Sequence, residues 1–429
     1  MSQTTTGRKL SGNQYILSIS IIGILFFIFG FVTWLNATLI PYLRISCELT
    51  SFESYLVTFA FYISYFVMAL PSSRVLEKIG FKNGMSLGLG IMAVGALIFI
   101  PAATTRTYWW FLLGLFVQGT GLAILQTASN PYVTILGPIE SAAKRISIMG
   151  VANKFAGILS PVILGAIVLN GIDKLEQKMA MMDTVEKAAE LDILATKVIM
   201  PYTVMAVVLL FLAVMVRFSP LPDVDAEEED TEETESSRRT SIFQFPYLWL
   251  GVLTIFLYVG AEVVAVDTLI AYGKSLGFEL SEAKFFSSFT LTGMIIGYFF
   301  GIIAIPKYIS QDKALKYFAL LGVLFSILAT LTNGYISVLF IALLGFANSI
   351  MWPAIWPLAI DGLGKFMKKG SALLIMGIAG GALIPLLYGY LAGHVAVGSR
   401  EAYWILVPCY LFILFFATTG HKIGKQANR

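Results

Sequence analysis

The chain has 429 residues, of which 57% are hydrophobic and 13% are charged, whereas soluble proteins carry about 25% charged residues. This deficit excludes an ordinary soluble protein, and a net charge of +3 without a dense basic run excludes a nucleic-acid-binding protein. Two cysteines and two histidines are too few for a disulfide framework or a typical zinc site, so we predict no metal site and no cofactor.

Apolar segments long enough to cross a bilayer, about 20 residues each, recur along the whole chain. Twelve are predicted, so the fold class is an all-α integral membrane protein. The first follows a short polar N-terminus without a signal-peptide cleavage pattern, and we interpret it as a membrane span. The predicted spans, numbered 1 to 12, cover residues 15–41, 52–73, 84–102, 109–136, 145–169, 198–218, 246–272, 284–305, 314–332, 336–360, 370–392 and 402–420.

Basic residues are distributed unequally between the two sides of this arrangement. Twelve spans put both termini on one side, which then holds nineteen Lys and Arg residues against nine on the other side, with Lys154 inside a span. Basic loops are retained on the cytoplasmic side of a membrane. The sequence therefore predicts cytoplasmic termini in a protein of the plasma membrane, the inner membrane of a bacterium.

A strongly acidic segment divides the spans into two sets of six. Residues 223–235 hold nine acidic side chains, and such a segment is predicted to be a flexible cytoplasmic linker. A regulatory or docking segment is the alternative. The predicted domains are an N-terminal six-helix bundle (1–218), the linker (219–242) and a C-terminal six-helix bundle (243–429). Between spans 5 and 6, residues 171–197 are predicted to form a surface helix.

The two sets of spans repeat one another. Spans 1 and 7 share Gly, Thr-Leu-Ile and Tyr at an offset of 230 residues, and spans 5 and 11 share a Gly-xxx-Pro-xxx-Gly pattern. Matches at equivalent span numbers predict two pseudo-symmetric bundles that bind substrate between them and rock during transport. The matched residues are Gly30 with Gly260, Thr38 with Thr268, Tyr42 with Tyr272, and Gly157, Pro161 and Gly165 with Gly381, Pro385 and Gly389.

Three ionisable residues lie deep in predicted spans: Lys154 in span 5, and Glu262 and Asp267 in span 7. Each costs about 2.5–3.5 kcal/mol at a membrane centre, so such groups are functional candidates. A carboxylate there can carry a proton or bind sodium. Glu262 and Asp267 are about 140° apart around a helix and need not face the same cavity. The alternative is a structural pair between Lys154 and a carboxylate that locks the halves together.

Polar and indole side chains in the spans are candidates for binding a sugar. Amides offer a hydrogen-bond donor and an acceptor to sugar hydroxyl groups, and indole rings can stack on the apolar face of a pyranose. The alternative is that amides hold helices together and that tryptophans mark the membrane interface. The substrate-binding candidates are Trp34, Asn36, Gln126, Asn130, Asn153, Asn348, Trp352 and Trp356.

Segments that carry these candidates resemble a known family. Residues 119–138 in span 4, 29–41 in span 1, 348–364 in span 10 and the glycine-rich span 11 are similar to the fucose–galactose–glucose symporters, a branch of the major facilitator superfamily. The resemblance, nearer to the glucose/galactose transporters, implies the major facilitator fold with twelve helices, hexose transport and alternating access. It also supports sugar contacts at Asn36, Gln126, Asn130 and Asn153.

Three departures from the family bear on ion coupling. Fucose–proton symporters of this family have Asp where this chain has Ala37 and Glu where it has Gln126, and Lys154 replaces a small polar residue. Asp267 is the counterpart of Ala37 in the internal repeat. We therefore hypothesise that the coupling acid has moved to the second half, with Glu262 and Lys154 as further coupling candidates.

These observations predict a secondary active transporter that imports a hexose with a proton or a sodium ion. The chain has no phosphate-binding GxxxxGK[ST] loop, and nothing in it indicates an enzyme. We expect a monomer in a lipid bilayer. The alternatives are an uncoupled facilitator, an exporter of another small polar metabolite, and a sugar sensor that does not transport.

Overall fold

The computed structural model describes residues 12–135, 142–221, 240–305, 307–363 and 366–425. Every regular element in these ranges is a helix. The acidic segment 223–235 lies outside the described residues, so the flexible linker stays a prediction.

Twelve membrane crossings account for the long helices, as predicted. In the N-terminal half they are Gly12–Thr33 with Asn36–Ser46 (span 1), Leu56–Thr104 (spans 2 and 3), Tyr108–Ile135 (span 4), Ala142–Val168 (span 5) and Ile199–Phe218 (span 6). In the C-terminal half they are Pro246–Asp267 with Leu269–Ser275 (span 7), Phe286–Ala304 (span 8), Gln311–Leu331 (span 9), Gly334–Asn348 with Met351–Ile360 (span 10), Met367–Met376 with Gly380–Ala392 (span 11), and Ala402–Ile405 with Leu406–Thr418 (span 12). Between spans 5 and 6 lie two short helices, Ile172–Met179 and Thr184–Thr196, in place of the predicted surface helix.

Spans 2 and 3 share one helical segment, Leu56–Thr104, of 49 residues. A straight helix of that length would extend about 70 Å, more than twice the thickness of the hydrocarbon core. Gly80 interrupts the segment with φ 77° and ψ 167°, a conformation that glycine adopts without steric penalty. The chain turns at Gly80, so the segment crosses the membrane twice.

The predicted ends of spans 1 and 7 are wrong. Span 1 was expected to end at residue 41 but continues through Arg44 to Ser46, and span 7 was expected to end at residue 272 but continues to Ser275. Polar side chains near the membrane surface lower the hydropathy without interrupting backbone hydrogen bonds, so the helix is longer than the apolar segment. Each span also breaks once, at residues 34–35 and at Thr268.

The internal repeat corresponds to equivalent packing in the two halves. A Cβ atom at Gly30 would lie 1.8 Å from the carbonyl oxygen of Asn153 in span 5, and one at Gly260 would lie 3.0 Å from the carbonyl oxygen of Gly380 in span 11. Glycine therefore lets the backbones of spans 1 and 5, and of spans 7 and 11, approach closely.

Two helix pairs join the halves. Span 5 packs against span 8, where Ser288 Oγ donates a hydrogen bond of 2.9 Å to the carbonyl oxygen of Ile158. Span 11 packs against span 2, where a Cβ atom at Gly381 would lie 2.9 Å from the ring of Tyr62. The spans that share the Gly-xxx-Pro-xxx-Gly pattern therefore lie at the contact between the halves.

The halves also meet at the membrane face that is opposite the termini, called the opposite face below. Lys274, at the end of span 7, forms ion pairs of 2.7 Å with Asp173 and with Glu176 of the N-terminal half. Burial disfavours the carboxylate of Asp173, but the hydrogen bond from Lys274 and backbone hydrogen bonds outweigh it and lower the pKa of Asp173. On the other side, Tyr55 packs against Gly389, and its ring centroid lies 5.5 Å from that of Tyr388. The opposite face is closed in this structure.

We expect Gly30→Ala to destabilise the protein by about 1–3 kcal/mol, the usual range for overpacking, because the added methyl group meets the carbonyl oxygen of Asn153. Gly90→Ala is the matched control, since a Cβ atom at Gly90 meets no atom within 4 Å. Thermal unfolding of the purified protein in detergent compares the two. Equal melting temperatures would contradict the close approach of spans 1 and 5.

We expect Lys274→Met to shift the protein toward states in which the opposite face is open, because it removes both ion pairs. Lys187→Met is the control, since Lys187 pairs with Glu48 at 2.6 Å within the N-terminal half. Spin labels on Val185→Cys and Val395→Cys, in a background lacking Cys47 and Cys409, report the distance between the halves. Lys274→Met should lengthen that distance and the control should not; an unchanged distribution would show that the ion pairs do not hold the face closed.

Candidate functional site

A lysine near the middle of span 5 and a glutamate of span 7 form an ion pair between the halves. Lys154 Nζ in span 5 lies 2.7 Å from Glu262 Oε1 in span 7, and the two side chains are 10% and 9% exposed. The ammonium group also lies 4.4 Å from the ring centroid of Trp34. Each charge compensates the other, as burial requires. The pair between Lys154 and a carboxylate that the sequence left as an alternative is therefore the contact observed.

Asp267, unlike Glu262, has no partner for its charge. It is the last residue of the helix Pro246–Asp267, it is fully buried, and neither carboxylate oxygen has a hydrogen-bond partner. An ionised carboxylate in such surroundings carries a large desolvation penalty. A proton or a cation is needed to compensate its charge. The two acids of span 7 thus face different surroundings, as their angular separation predicts.

Two buried side chains at the break in span 1, Trp34 and Asn36, have polar atoms without a hydrogen-bond partner. Trp34 packs with Val266, Leu291 and Met294 of the other half, and its Nε1 has no hydrogen-bond acceptor. Asn36 is 1% exposed, and neither its amide nitrogen nor its amide oxygen has a partner. Buried polar groups are normally hydrogen-bonded, so these groups are positioned to receive a ligand or water.

The amide side chains of spans 4 and 5 differ in their exposure. Gln126 Nε2 donates a hydrogen bond of 2.9 Å to Tyr65 Oη, and Asn153 Nδ2 donates one of 3.3 Å to the carbonyl oxygen of Phe26. Both side chains are half-buried, whereas Asn130 is exposed. Gln126 and Asn153 therefore remain partly accessible.

Span 10 supplies the aromatic candidates. Trp352 and Trp356 stack with ring centroids 5.4 Å apart and an interplanar angle of 29°, and Trp352 also contacts Tyr258 of span 7 at 6.5 Å. Both indoles are half-buried. Asn348 is fully buried, and its Oδ1 accepts a hydrogen bond of 2.9 Å from Tyr410 Oη while its Nδ2 has no partner. The two indoles form one half-buried surface, whereas Asn348 is fully buried.

Three tyrosines adjoin these candidates and were missed by sequence reasoning. They are Tyr65 beside Gln126, Tyr258 beside Trp352, and Tyr410 beside Asn348. No sequence signal distinguishes them, because the chain has 19 tyrosines and each contact joins different spans. The repeat in spans 1 and 7 did single out Thr268 and Tyr272, which form hydrogen bonds with Tyr403 and Ser337.

Known proteins match the chain over nearly its whole length. It is 34% identical over 415 residues to the glucose/galactose transporter of Brucella abortus, covering 96% of each chain. It is 28% identical over 427 residues to the L-fucose-proton symporter of Escherichia coli, covering 97% of this chain and 95% of the symporter. The crystal structure of a variant of the E. coli fucose:proton symporter superposes with a TM-score of 0.70 at 27% identity, covering 94% of this chain and 98% of the other.

The family model described as Major Facilitator Superfamily matches residues 22–385. That range runs from span 1 into span 11 and includes the Lys154–Glu262 pair and Asp267. The match agrees with the twelve helices, the repeated halves and the contacts of spans 5 and 11 at their interface. The chain belongs to the major facilitator superfamily of transporters.

Proposed function

We propose that the protein is a proton-coupled symporter that imports a glucose- or galactose-like hexose by alternating access. Relatives named as a glucose/galactose transporter and an L-fucose-proton symporter support the substrate class and the ion. The observation that carries the coupling is Asp267, which is fully buried and has no hydrogen-bond partner for either carboxylate oxygen. A carboxylate in this position binds a proton while it is enclosed and releases it when the surroundings become polar.

The sugar is proposed to bind between the halves, against the half-buried amides and indoles. Gln126 and Asn153 can exchange their present hydrogen bonds for sugar hydroxyl groups, and the paired rings of Trp352 and Trp356 offer a flat apolar surface. Asn36 contributes its unpaired amide. Trp34, Asn36 and Asn348 are buried and Asn130 is exposed, so contacts from these four belong to states in which the halves have moved.

A proton fits the surroundings of Asp267 better than sodium does. Hard cations take several oxygen ligands at once. Within the described residues, no group of three or more His, Cys, Asp and Glu side chains is placed to hold a metal ion. The two residues before Asp267, Ala265 and Val266, are fully buried and offer no polar side chain. The hydroxyl group of Thr268, which follows it, is already bonded to the carbonyl oxygen of Val264. A proton needs only the carboxylate itself.

Glu262 is proposed to remain ionised beside Lys154 and to act as a contact between the halves. In transporters built from two repeated bundles, the bundles rock around a fixed site near the bilayer midplane. The ion pair joins the middle of span 5 to span 7. We therefore assign proton exchange to Asp267 and a positioning role to Lys154 and Glu262.

The moving bodies are proposed to be the bundles 1–218 and 243–429, joined by the linker 219–242. The excess of basic residues on the side of the termini supports cytoplasmic termini in the bacterial inner membrane. The opposite face is then external, and the structure represents a state closed to the outside. We propose that the monomer is the transporting unit.

We expect Asp267→Asn to abolish accumulation of sugar but to retain sugar exchange, because the amide keeps the shape and cannot carry the proton. Uptake of labelled glucose and galactose into proteoliposomes, with proton and sodium gradients imposed separately, measures both activities. Asp192→Asn, in which the changed side chain is 65% exposed, is the control and should accumulate sugar normally.

Three results of this experiment would overturn the proposal. Accumulation by Asp267→Asn would remove Asp267 as the coupling acid. Accumulation by the unmodified protein with a sodium gradient alone would make sodium the coupling ion. Equilibration without accumulation under both gradients would identify a facilitator.

We expect Lys154→Met to destabilise the protein by about 3–5 kcal/mol, because it leaves the carboxylate of Glu262 buried without its partner. The double variant Lys154→Met/Glu262→Gln should recover most of that loss, since neither charge remains. Thermal unfolding in detergent measures the single and double variants. Lys187→Met removes an exposed ion pair and, as the control, should change stability by less than about 1 kcal/mol. If the effects of Lys154→Met and Glu262→Gln on stability simply add, the two side chains do not form a stabilising pair.

A further inference from the structure

The hydroxyl group of Tyr65 in span 2 holds the amide of Gln126 in span 4. Gln126 Nε2 donates a hydrogen bond of 2.9 Å to Tyr65 Oη, and neither side chain makes another hydrogen bond within the described residues. Gln126 is half-buried and is one of the amides proposed above to bind the sugar, whereas Tyr65 is only 2% exposed. In this structure Tyr65 can therefore act on a sugar only through Gln126.

The hydrogen bond also decides which atom of the Gln126 amide is left for a ligand. An amide offers donors at its nitrogen and an acceptor at its oxygen. Tyr65 engages Nε2, and Gln126 Oε1 makes no hydrogen bond within the described residues and is not one of the enclosed unpaired atoms. Oε1 is thus free to accept a hydrogen bond from a sugar hydroxyl group while Nε2 is held in place.

The packing around Tyr65 fixes the position of its hydroxyl group. Spans 2 and 4 approach closely beside it, since a Cβ atom at Gly119 would lie 2.3 Å from the carbonyl oxygen of Phe61. The centroid of the Tyr65 ring lies 6.2 Å from that of Tyr62 at an interplanar angle of 25°, and 6.5 Å from that of Phe61 at 62°. The hydroxyl group of Tyr65 is therefore a fixed point against which Gln126 is aligned.

Tyr62 connects this packing to the C-terminal half. Its ring stacks with that of Tyr65 and also lies against the backbone of Gly381 in span 11, where a Cβ atom would be 2.9 Å from the ring. Glycine leaves room for the ring at this contact. The ring that supports Tyr65 is thus itself confined by the other half.

The C-terminal half holds an amide in the same way in span 10, the span equivalent to span 4. Tyr410 Oη of span 12 donates a hydrogen bond of 2.9 Å to Asn348 Oδ1, and Asn348 Nδ2 has no partner. In each half, a buried tyrosine of another span therefore holds one atom of a candidate amide and leaves the other atom unpaired. Asn348 is fully buried, so Gln126 is the more accessible of the two amides in this structure.

We propose that Tyr65 is a positioning residue for sugar binding and that it fixes the amide of Gln126 before the sugar arrives. This role rests on the sugar site proposed above. A side chain that is already held loses less conformational freedom on binding, which raises affinity without a new contact to the ligand. Tyr65 therefore contributes to the affinity for hexose and not to the proton exchange at Asp267.

Tyr65→Phe tests this role, because it keeps the ring and removes only the hydroxyl group. We expect the half-saturation concentration for glucose and galactose to rise about three- to tenfold, the effect of one side chain that is no longer held, and the maximal rate to stay within about twofold. Sugar exchange in proteoliposomes without an ion gradient measures both quantities. The matched control is Tyr202→Phe, which should change neither: Tyr202 is 1% exposed, stacks on Phe99, and its hydroxyl group has no hydrogen-bond partner.

A double-mutant cycle tests whether Tyr65 acts through Gln126. The effects of independent residues add, whereas those of residues in contact do not. Gln126→Ala should raise the half-saturation concentration for both sugars, and adding Tyr65→Phe to it should change that concentration by less than about twofold. Saturation curves are recorded below the melting temperature of each variant in detergent. Loss of folded protein would lower the maximal rate and would not mimic a change in affinity.

Three results would overturn the positioning role. They are an unchanged or lower half-saturation concentration in Tyr65→Phe, an equal rise with and without Gln126, and no effect of Gln126→Ala. The second result would show that Tyr65 acts by packing alone, and the third that Gln126 does not contact the sugar. In each case, accumulation of sugar by the unmodified protein under a proton gradient would leave the proposed symport standing. If the unmodified protein neither exchanges nor accumulates glucose or galactose, the proposed function and the positioning role both fall.

Discussion

Within a bilayer every backbone N–H and C=O group must find its hydrogen-bond partner inside the protein, because lipid offers none. Accordingly, every regular element among the described residues is a helix. It also limits where a helix can break, since a break frees backbone groups that the surrounding protein must then cover. The breaks in spans 1, 7 and 10 adjoin Trp34, Asp267 and Asn348 respectively. Three departures from regular helix thus coincide with candidate site residues, where neighbouring helices enclose the freed groups.

The second constraint is the compensation of charge at low dielectric. Among the described residues, Lys154 of span 5 and the two acids of span 7 are buried, so one acid remains after the lysine has paired. Packing decides which one: Lys154 reaches Glu262 at 2.7 Å, and Asp267 is enclosed on the other side of the helix. A difference of five residues along span 7 thereby separates a paired carboxylate from one that has no partner.

Much of the architecture could be predicted from the sequence because it follows from composition and periodicity. Apolar length identified the twelve spans, and the offset of 230 residues predicted that Gly30 and Gly260 have equivalent roles. Depth within a span identified Lys154, Glu262 and Asp267 as ionisable residues in the spans, and all three are buried. The sequence could not decide which acid pairs with Lys154, because that contact joins helices of different halves. For the same reason it could not foresee that Asn348 is buried beside Tyr410, which is 62 residues later, or that Thr268 faces Tyr403.

The two sides of the opposite face are closed by different kinds of contact. Beside spans 5 and 8 it depends on Lys274 and two carboxylates that are partly exposed, and beside spans 2 and 11 it depends on the ring of Tyr55 against the bare backbone of Gly389. Dissolved salt screens the first kind of contact and leaves the second almost untouched. Raising the salt concentration should therefore weaken the charged side of this closure and leave the aromatic side almost unchanged.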